Sequence, residues 1–489
     1  MFKKPSKKQL LIRRIALSIV ATIAVIIIVT ATILFMLGYR LDGGNGRLEQ
    51  GALLQFDSSP NNATVSVDDK VVGTTGTKST VLAGAHSIKM TKNGYRDWNR
   101  SLELQAGTLT WLDYIRLVPN DLPVRTVTTY DALVDLKISS DKKWALAHTK
   151  ADSPAFQLVD LRSETVRSSE ITIPSSLYSD PTTPDISHSF SVVKWDNEGR
   201  YALVKHLYKD QTEWLVLDTQ NVSQTINVTR TMSVSFNDLQ FAGASGKLLY
   251  GLTSDGTIRK LDLSAETISR AFVSHVESFS IYDNKIISYI GTDPTDATKK
   301  VAGIFRDGDD TPYVMRAVST PDTVLKIAVG NYYSNYYIAI AQGNIVTVMK
   351  GTIPTSTQNI SDSFTKVTSL DVSGAVSNLS FSPNNDYIIA QSGANFTSYE
   401  IEHNRSADAG VSLSEGQSAT TLRWLDGAHL WNDDEGNLIM RDFNGLNAQT
   451  IMTVTPGFDA SLSQNGRFFY AVGNTDNRYH LQRVKMVLD

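Results

Sequence analysis

Ser-x-x-Lys sequences are the patterns in this chain that most resemble part of a catalytic site. One such sequence places Ser191 three residues before Lys194, and another places Ser363 three residues before Lys366. This spacing occurs in acyl-transfer enzymes that use a serine nucleophile. Both copies lie in strand-like runs, and a pattern of two fixed residues arises readily by chance. The chain also has no Gly-x-Ser-x-Gly sequence, which disfavours a fused serine peptidase. We therefore predict no catalytic residue.

Carboxylates of the kind that bind calcium occur at residues 307–310, which read Asp-Gly-Asp-Asp. An EF-hand loop requires glycine at its sixth position and an acidic residue at its twelfth, where this chain has Pro312 and Val318. A hairpin turn is the better interpretation, with another kind of calcium site as the alternative. Residues 432–437, Asn-Asp-Asp-Glu-Gly-Asn, have the same turn-like composition.

Histidines are the other metal-ligand candidates, and they are scattered. The eight are His86, His148, His188, His206, His275, His403, His429 and His480. No two have the close spacing of helical or strand metal motifs, although distant residues can meet in a ring. The absence of cysteine excludes thiol catalysis and zinc–thiolate sites. We predict no metal site and no cofactor, and we expect His86 to cap or pack at the start of a strand.

A cluster of four tyrosines is the candidate binding surface. Tyr332, Tyr333, Tyr336 and Tyr337 lie within a run of six residues. Tyrosine combines an apolar body with a polar tip, which suits a sugar or peptide ligand. It is also a strong strand former, so packing between strands is the alternative.

The charge distribution separates a basic N terminus from an acidic remainder. Six of the 46 lysines and arginines lie within the first 14 residues, so 40 remain against 50 acidic residues. Nucleic acid binding requires a basic surface, so we predict no nucleic acid partner. The length of 489 residues favours more than one domain. Without cysteine, an exported chain must obtain its stability from packed cores.

Residues 15–37 form an uncharged, apolar run that is long enough to cross a bilayer as a helix. Basic residues precede this run and no acidic residue appears before Asp42, which predicts a cytoplasmic N terminus. We predict a cytoplasmic tail at 1–14, a transmembrane helix at 15–38 and a linker at 39–50 with a glycine-rich spacer at 42–46. A cleaved signal peptide is the alternative, but its apolar core would be shorter.

Residues 51–119 alternate short apolar and polar runs with turn residues, which predicts a small β-sandwich. Residues 55–68 read QFDSSPNNATVSVD, and Gly84-x-His86-x-Ile88 and Gly94-Tyr95-x-x-Trp98 follow. In order and spacing these residues resemble a PEGA domain. The resemblance implies a surface-associated β domain next to a membrane anchor, without catalysis.

Residues 120–489 repeat a unit of short strands about every 40 to 55 residues, which is typical of a β-propeller. Strong copies lie at residues 136–161, 193–218, 379–401 and 462–471, and weaker copies lie at 239–262, 279–314, 327–349 and 422–443. These eight copies predict eight blades, with seven as the alternative. Pairing of residues 124–129 with 479–487 would close the ring. The turns resemble those of TolB-like and WD40-like repeats.

The fold class we predict is all-β, with one N-terminal transmembrane helix, a PEGA-like sandwich and a propeller. These elements suggest a non-catalytic, membrane-anchored extracytoplasmic protein. The expected partners are the membrane, through the helix, and an envelope protein or cell-wall glycan, through the propeller. The PEGA-like domain would act as a stalk. One alternative is an exported hydrolase or lyase that acts on polysaccharide or peptidoglycan, and another is purely structural surface-layer material.

Overall fold

The computed structural model describes residues 7–36, 39–41, 48–180, 186–243, 245–319, 323–354, 363–411 and 420–488. The chain divides into two compact units, Met1–Asn120 and Asp121–Asp489. The predicted glycine-rich spacer at 42–46 lies outside the described residues.

The N-terminal segment is a single long helix, α1 (Lys7–Met36). Its part Leu11–Leu34 is apolar, long enough to cross a membrane and unburied by the rest of the protein. Thr22 Oγ1 donates to the carbonyl of Ser18 at 2.9 Å, so this hydroxyl is satisfied inside the helix. In the hydrocarbon core of a bilayer, polar groups must form their hydrogen bonds within the protein. The helix begins earlier than the sequence predicts because the lysines and arginines that precede the apolar run are themselves good helix formers.

The first unit contains two four-stranded sheets. Its strands are β1 (Tyr39–Leu41), β2 (Leu48–Ser59), β3 (Thr64–Val67), β4 (Lys70–Thr74), β5 (Lys78–Leu82), β6 (Gly84–Thr91), β7 (Trp98–Leu104) and β8 (Leu109–Arg116). In one sheet β1, β2 and β5 follow one another and β8 pairs with β2, while the other has the order β4-β3-β6-β7. Strand β1 and the start of β2 lie in the stretch that the sequence assigns to a linker.

One apolar core holds these two sheets together. Leu54 and Phe56 of β2 are buried from one sheet, and Val65, Ile88 and Trp98 are buried from the other. In a strand, alternate side chains point to the same face, so each sheet presents one apolar face to its partner. The predicted small β-sandwich is confirmed.

The second unit consists of consecutive antiparallel strands, preceded by β9 (Arg125–Tyr130). Sheet 1 is β10 (Asp135–Ile138), β11 (Trp144–His148), β12 (Ala155–Asp160) and β13 (Arg167–Thr172). Sheet 2 is β14 (His188–Trp195), β15 (Tyr201–Tyr208), β16 (Gln211–Asp218) and β17 (Ile226–Asn227), followed by the short helix α2 (Val228–Met232). Sheet 3 is β18 (Phe236–Phe241), β19 (Leu248–Thr253), β20 (Ile258–Asp262) and β21 (Thr267–Ile268).

Five further sheets follow. Sheet 4 is β22 (Val276–Tyr282), β23 (Ile286–Asp293), β24 (Asp296–Arg306) and β25 (Tyr313–Val318). Sheet 5 is β26 (Leu325–Tyr332), β27 (Asn335–Gln342), β28 (Ile345–Gly351) and β29 (Phe364–Asp371). Sheet 6 is β30 (Asn378–Phe381), β31 (Tyr387–Ser392), β32 (Asn395–Glu400) and β33 (Arg405–Gly410). Sheet 7 is β34 (Arg423–Trp424), β35 (His429–Asp434), β36 (Asn437–Asp442) and β37 (Gln449–Thr453). Sheet 8 is β38 (Ser461–Leu462), β39 (Phe468–Thr475), β40 (Arg478–Lys485) and the early strand β9.

Successive sheets pack on one another in the manner of a propeller. Apolar clusters join each of sheets 1 to 6 to the following sheet, and another joins sheet 8 to sheet 1. Between sheets 7 and 8, Gln482 Nε2 donates to the carbonyl of Thr453 at 2.7 Å. Each sheet therefore buries its two faces against neighbours, which accounts for the repeated apolar strands in the sequence.

Sheet 8 is assembled from both ends of the second unit. Strand β9 pairs antiparallel with β40, with Thr129 opposite His480 and Tyr130 opposite Tyr479. Thr129 Oγ1 and His480 Nδ1 are 2.9 Å apart. The predicted pairing between residues 124–129 and 479–487 is confirmed.

The recurring Ser-x-Asn/Asp sequence forms the turn between the first two strands of a sheet. In sheet 6, Ser382 Oγ donates to Asn384 Oδ1 at 2.7 Å and accepts the backbone N–H of Tyr387 at 3.0 Å. Ser463 makes the same two contacts in sheet 8. Such side chain–backbone bonds stabilise turns, so this motif is structural.

Candidate functional site

The first strands of the sheets line the centre of the ring. Strand β10 contacts β14, and β26 contacts β30. The first strands of sheets 4, 5 and 6 border an open cavity of about 260 Å³ that includes Lys326. Lys194 is exposed to solvent, yet the surrounding protein desolvates its ammonium group and lowers its pKa, against the opposing effect of Asp238. The centre of the ring is therefore polar and charged.

Carboxylates on this inner surface are held by neighbouring cations. Lys137 Nζ lies 3.4 Å from Asp135 Oδ1 and 3.8 Å from Asp459 Oδ1. Arg423 Nη1 is 3.4 Å from the same Asp459 oxygen, and the Ile138 backbone N–H donates to Asp459 Oδ2 at 3.4 Å. These contacts link sheets 7, 8 and 1 and orient the Asp459 carboxylate.

A cavity of about 280 Å³ lies beside Asp459, between sheets 7 and 8. Its charged lining residues are Arg423, Asp433 and Asp459, and its aromatic ones are Trp431 and Phe458. Thr420, Thr421, Thr455 and the backbone of residues 456–457 complete much of the wall. The cavity thus combines apolar rings with convergent polar groups, as small-ligand sites do.

The loop after sheet 7 and the second hairpin of that sheet position these side chains. Arg423 lies over the Trp431 ring, with its guanidinium carbon 5.2 Å from the ring centroid. Asp433 Oδ1 accepts the Gly436 backbone N–H at 3.0 Å in the β35–β36 turn. Burial raises the pKa of Asp433, opposed mainly by the Gly436 N–H. Phe458 is half-buried and makes an edge contact with a tyrosine of sheet 8.

The four tyrosines of the candidate binding surface lie on the hairpin of β26 and β27, where strand alternation separates them. Tyr332 and Tyr337 pack toward sheet 6, and Tyr336 packs toward sheet 4. Tyr337 is 5% exposed, whereas Tyr333, at the turn with φ 52°, is 83% exposed. A binding role for this hairpin stays a prediction, and it would depend chiefly on Tyr333.

Three titratable side chains from different strands form a hydrogen-bonded chain in sheet 2, in which His206 and Glu213 are buried and His188 is half-buried. His206 Nδ1 lies 3.0 Å from Glu213 Oε2, and His206 Nε2 lies 2.9 Å from His188 Nδ1. Burial raises the pKa of Glu213, but hydrogen bonds from His206 and Ser179 outweigh it and lower this pKa to about 2. An ionised Glu213 carboxylate accepts a hydrogen bond from His206 Nδ1–H. Sequence spacing does not reveal this chain because adjacent strands bring its members together.

The short motifs considered from the sequence lie in strands or in the turns between them. Ser191 and Lys194 are on β14, separated by a β-bulge. Residues 307–310 form the turn between β24 and β25, where Lys260 Nζ is 2.6 Å from Asp307 Oδ2 and Arg306 is 2.8 Å from Asp309. No group of three or more metal-ligating side chains is found within the described part of the chain.

His86 has protein partners at both ring nitrogens. Its Nδ1 is 2.6 Å from Asp68 Oδ2, and its Nε2 is 2.9 Å from the carbonyl of Leu82. A backbone bond from Ser87 and the side-chain bond with His86 lower the pKa of Asp68. His86 therefore ties the β3–β4 turn to the start of β6, as the capping prediction states.

Comparisons with known proteins concern the two units separately. Residues 52–119 match the family model of the PEGA domain. No curated protein sequence matches the chain. Among solved structures, the C-terminal WD40 domain of Sif2 aligns at 11% identity and a TM-score of 0.47, covering 73% of this chain and 97% of that one. The Cps50 (Swd1) β-propeller domain of Myceliophteria thermophila aligns at 8% identity and a TM-score of 0.40, covering 74% and 99%.

The family match and the sheet topology describe adjacent parts of the chain. The matched residues coincide with the two-sheet sandwich, and the four-stranded sheets follow it. The chain carries an apolar N-terminal helix, a PEGA domain at residues 52–119 and a β-propeller after it.

Proposed function

We propose that this protein is anchored in a membrane by α1 and binds an envelope protein or cell-wall glycan through its propeller, without catalysis. The PEGA domain acts as the stalk. The apolar face of α1 has no protein partner within the described chain, and lipid satisfies it. The basic residues before the span support a cytoplasmic N terminus.

The observation that carries the binding role is the pairing of charges inside the ring. Asp135 and Asp459 each have a lysine or arginine within 4 Å. Carboxylates and cations held in this way can orient a ligand through charge-assisted hydrogen bonds.

The test is capture by the detergent-solubilised full chain. The chain is immobilised and incubated separately with solubilised envelope proteins and with purified cell-wall sacculi. Specific retention of one of them is expected, and a chain ending at Asn120, which keeps the PEGA core, is the control. Equal retention by both chains would place the binding outside the propeller, and no retention in either arm would contradict the proposal.

A second candidate function is cleavage of a polysaccharide by hydrolysis or elimination, and one observation favours it. Asp433 and Asp459 line the same cavity, and burial raises the pKa of Asp433 while cations hold Asp459. Two carboxyl groups with different environments can divide acid and base roles in glycoside cleavage. Release of reducing ends from sacculi by the wild-type chain, lost in Asp433→Asn, would select this function.

A further inference from the structure

The cavity between sheets 7 and 8 has the composition of a site for a small, uncharged, hydroxyl-rich ligand. Arg423 supplies several N–H donors, Asp433 and Asp459 supply acceptors, and three threonines supply hydroxyl groups that donate and accept. A ligand that matches this lining must itself carry many donors and acceptors in a small volume.

Two lining groups are held in place before any ligand arrives. Asp459 is oriented by Arg423 at 3.4 Å and by the Ile138 N–H at 3.4 Å. Arg423 is further positioned over Trp431 at 5.2 Å. Preorganised groups lose less conformational freedom when a ligand binds. The cavity therefore differs from a gap that exists only because two sheets pack poorly.

The aromatic lining gives this cavity an apolar wall. Trp431 is 6% exposed and forms the floor, whereas Phe458 is half-buried beside the exposed Pro456 and Gly457. A pyranose ring has an apolar C–H face and polar hydroxyl edges. The aromatic ring of the cavity matches the C–H face, and the charged hydrogen-bonding groups match the hydroxyl edges.

The charge of the lining disfavours anionic ligands. One guanidinium stands against two carboxyl groups, so phosphate or an acidic sugar would add negative charge to an acidic site. An extended peptide would instead use unpaired backbone groups at a strand edge. This cavity is lined by side chains and a loop between two sheets.

We propose that the cavity between sheets 7 and 8 is a glycan-binding site, in which Arg423, Asp433 and Asp459 bond the hydroxyl groups of an uncharged hexopyranose unit that stacks on Phe458. This inference deepens the proposed function, on which it rests, by naming the ligand class and the site. The loop of residues 455–460 contributes six of the residues that line the cavity.

The experiment measures binding of soluble oligosaccharides to the full chain. The chain is reconstituted in lipid nanodiscs, which avoids sugar-based detergents, and is screened against uncharged hexose and N-acetylhexosamine oligomers and against acidic oligomers of equal length. The best ligand is then titrated by calorimetry. Uncharged oligomers are expected to bind, and acidic ones to bind at least tenfold more weakly.

Two variants and a matched control localise the site. Asp433→Asn keeps an acceptor for the Gly436 N–H but loses the carboxylate, and Arg423→Gln removes the guanidinium; each should weaken binding about tenfold because charge-assisted bonds are lost. Glu435→Gln, an exposed change at the tip of the same hairpin, should leave binding unchanged. Thermal unfolding of each variant shows whether the fold is retained.

The outcomes separate this inference from the function on which it rests. Unaltered affinity in folded Asp433→Asn and Arg423→Gln would overturn the site, and tight binding of acidic oligomers would overturn the ligand class. Failure of every uncharged oligomer to bind, while sacculi or an envelope protein are still retained, would overturn the inference alone. Failure of retention as well would overturn the proposed function too. If the wild-type chain cleaves the bound oligomer and Asp433→Asn does not, the site is catalytic, and the proposal of binding without catalysis is overturned.

Discussion

Single residues of this chain show how burial and hydrogen bonding set protonation. Glu213 is 4% exposed, yet it stays ionised because His206 and the Ser179 N–H compensate the desolvation of its carboxylate. His403 shows the opposite direction, since the Glu400 carboxylate 2.6 Å away raises its pKa despite burial. His206 lies on the strand adjoining that of Glu213, and His403 lies in the turn that follows the strand of Glu400.

The depressed pKa of Glu213 predicts a loss of stability in acid. Its pKa falls from 4.5 to about 2 on folding, so its contribution is present above pH 4.5 and is lost as the pH falls toward 2. By proton linkage, this difference between the unfolded and folded pKa values corresponds to about 3 kcal/mol of the free energy of unfolding. We expect Glu213→Gln to lower the free energy of unfolding at pH 7 by about 2–3 kcal/mol and to flatten its acid dependence, as measured by urea unfolding. Glu170→Gln, on the exposed outer strand β13, is the control; an equal acid dependence in wild type and Glu213→Gln would refute the assignment.

The tyrosine hairpin predicts two different outcomes for two neighbouring residues. Tyr337→Ala removes a ring that is 5% exposed in the core between sheets 5 and 6, so we expect a loss of about 3–5 kcal/mol in the free energy of unfolding. Tyr333→Ala removes a ring that is 83% exposed, so we expect a change within about 0.5 kcal/mol. If the hairpin binds a partner, Tyr333→Ala weakens retention in the capture assay without changing stability. Normal retention would assign the cluster to packing alone.

At the scale of elements, the closure of sheet 8 matters most. Strand β9 is separated from β40 by the whole second unit, yet it supplies the outer strand of that sheet. Sheet 1 packs against the completed sheet through Tyr130, Leu136 and Leu481. Closure therefore gives the end sheets the neighbours that a repeat protein otherwise lacks.

A designed disulfide tests this closure in a chain whose natural sequence has no cysteine. Thr129 and His480 are directly opposed, so Thr129→Cys with His480→Cys is expected to form a cross-link spontaneously. The bridge should raise the free energy of unfolding by about 2–4 kcal/mol because it closes a long loop. Electrophoresis without reductant and thermal unfolding with and without it measure the two effects. Thr129→Cys with Asn474→Cys is the control, because Asn474 lies on β39, which β40 separates from β9. Equal cross-linking of both pairs would argue against the pairing of β9 with β40.

At the scale of the whole molecule, α1 is the element on which the proposed membrane anchoring depends. Its apolar side chains are exposed along the span, which only a lipid environment makes favourable. The basic residues at one end predict the direction of the span.

Single cysteines report this topology without interference from natural ones. Val71 is 69% exposed and Tyr333 is 83% exposed, so Val71→Cys and Tyr333→Cys should react with a membrane-impermeant maleimide in intact cells. Lys4→Cys, before the span, should react only after lysis. Reaction of Lys4→Cys alone in intact cells would indicate the opposite orientation. Release of a labelled chain that lacks the helix would identify a cleaved signal peptide.

The amino-acid sequence by itself determined the apolar span, the PEGA domain and the repeated strands, because each depends on local composition and periodicity. It also determined the pairing of β9 with β40, since a ring of repeats needs a partner for its last strand. Only the tertiary structure decided which side chains meet. Arg423 and Asp459 come together through the packing of sheets 7 and 8, and His188 meets His206 through strand register. Periodicity gives the face on which a side chain lies, but not the neighbouring sheet or loop that it will contact, so the cavity and the histidine chain required coordinates.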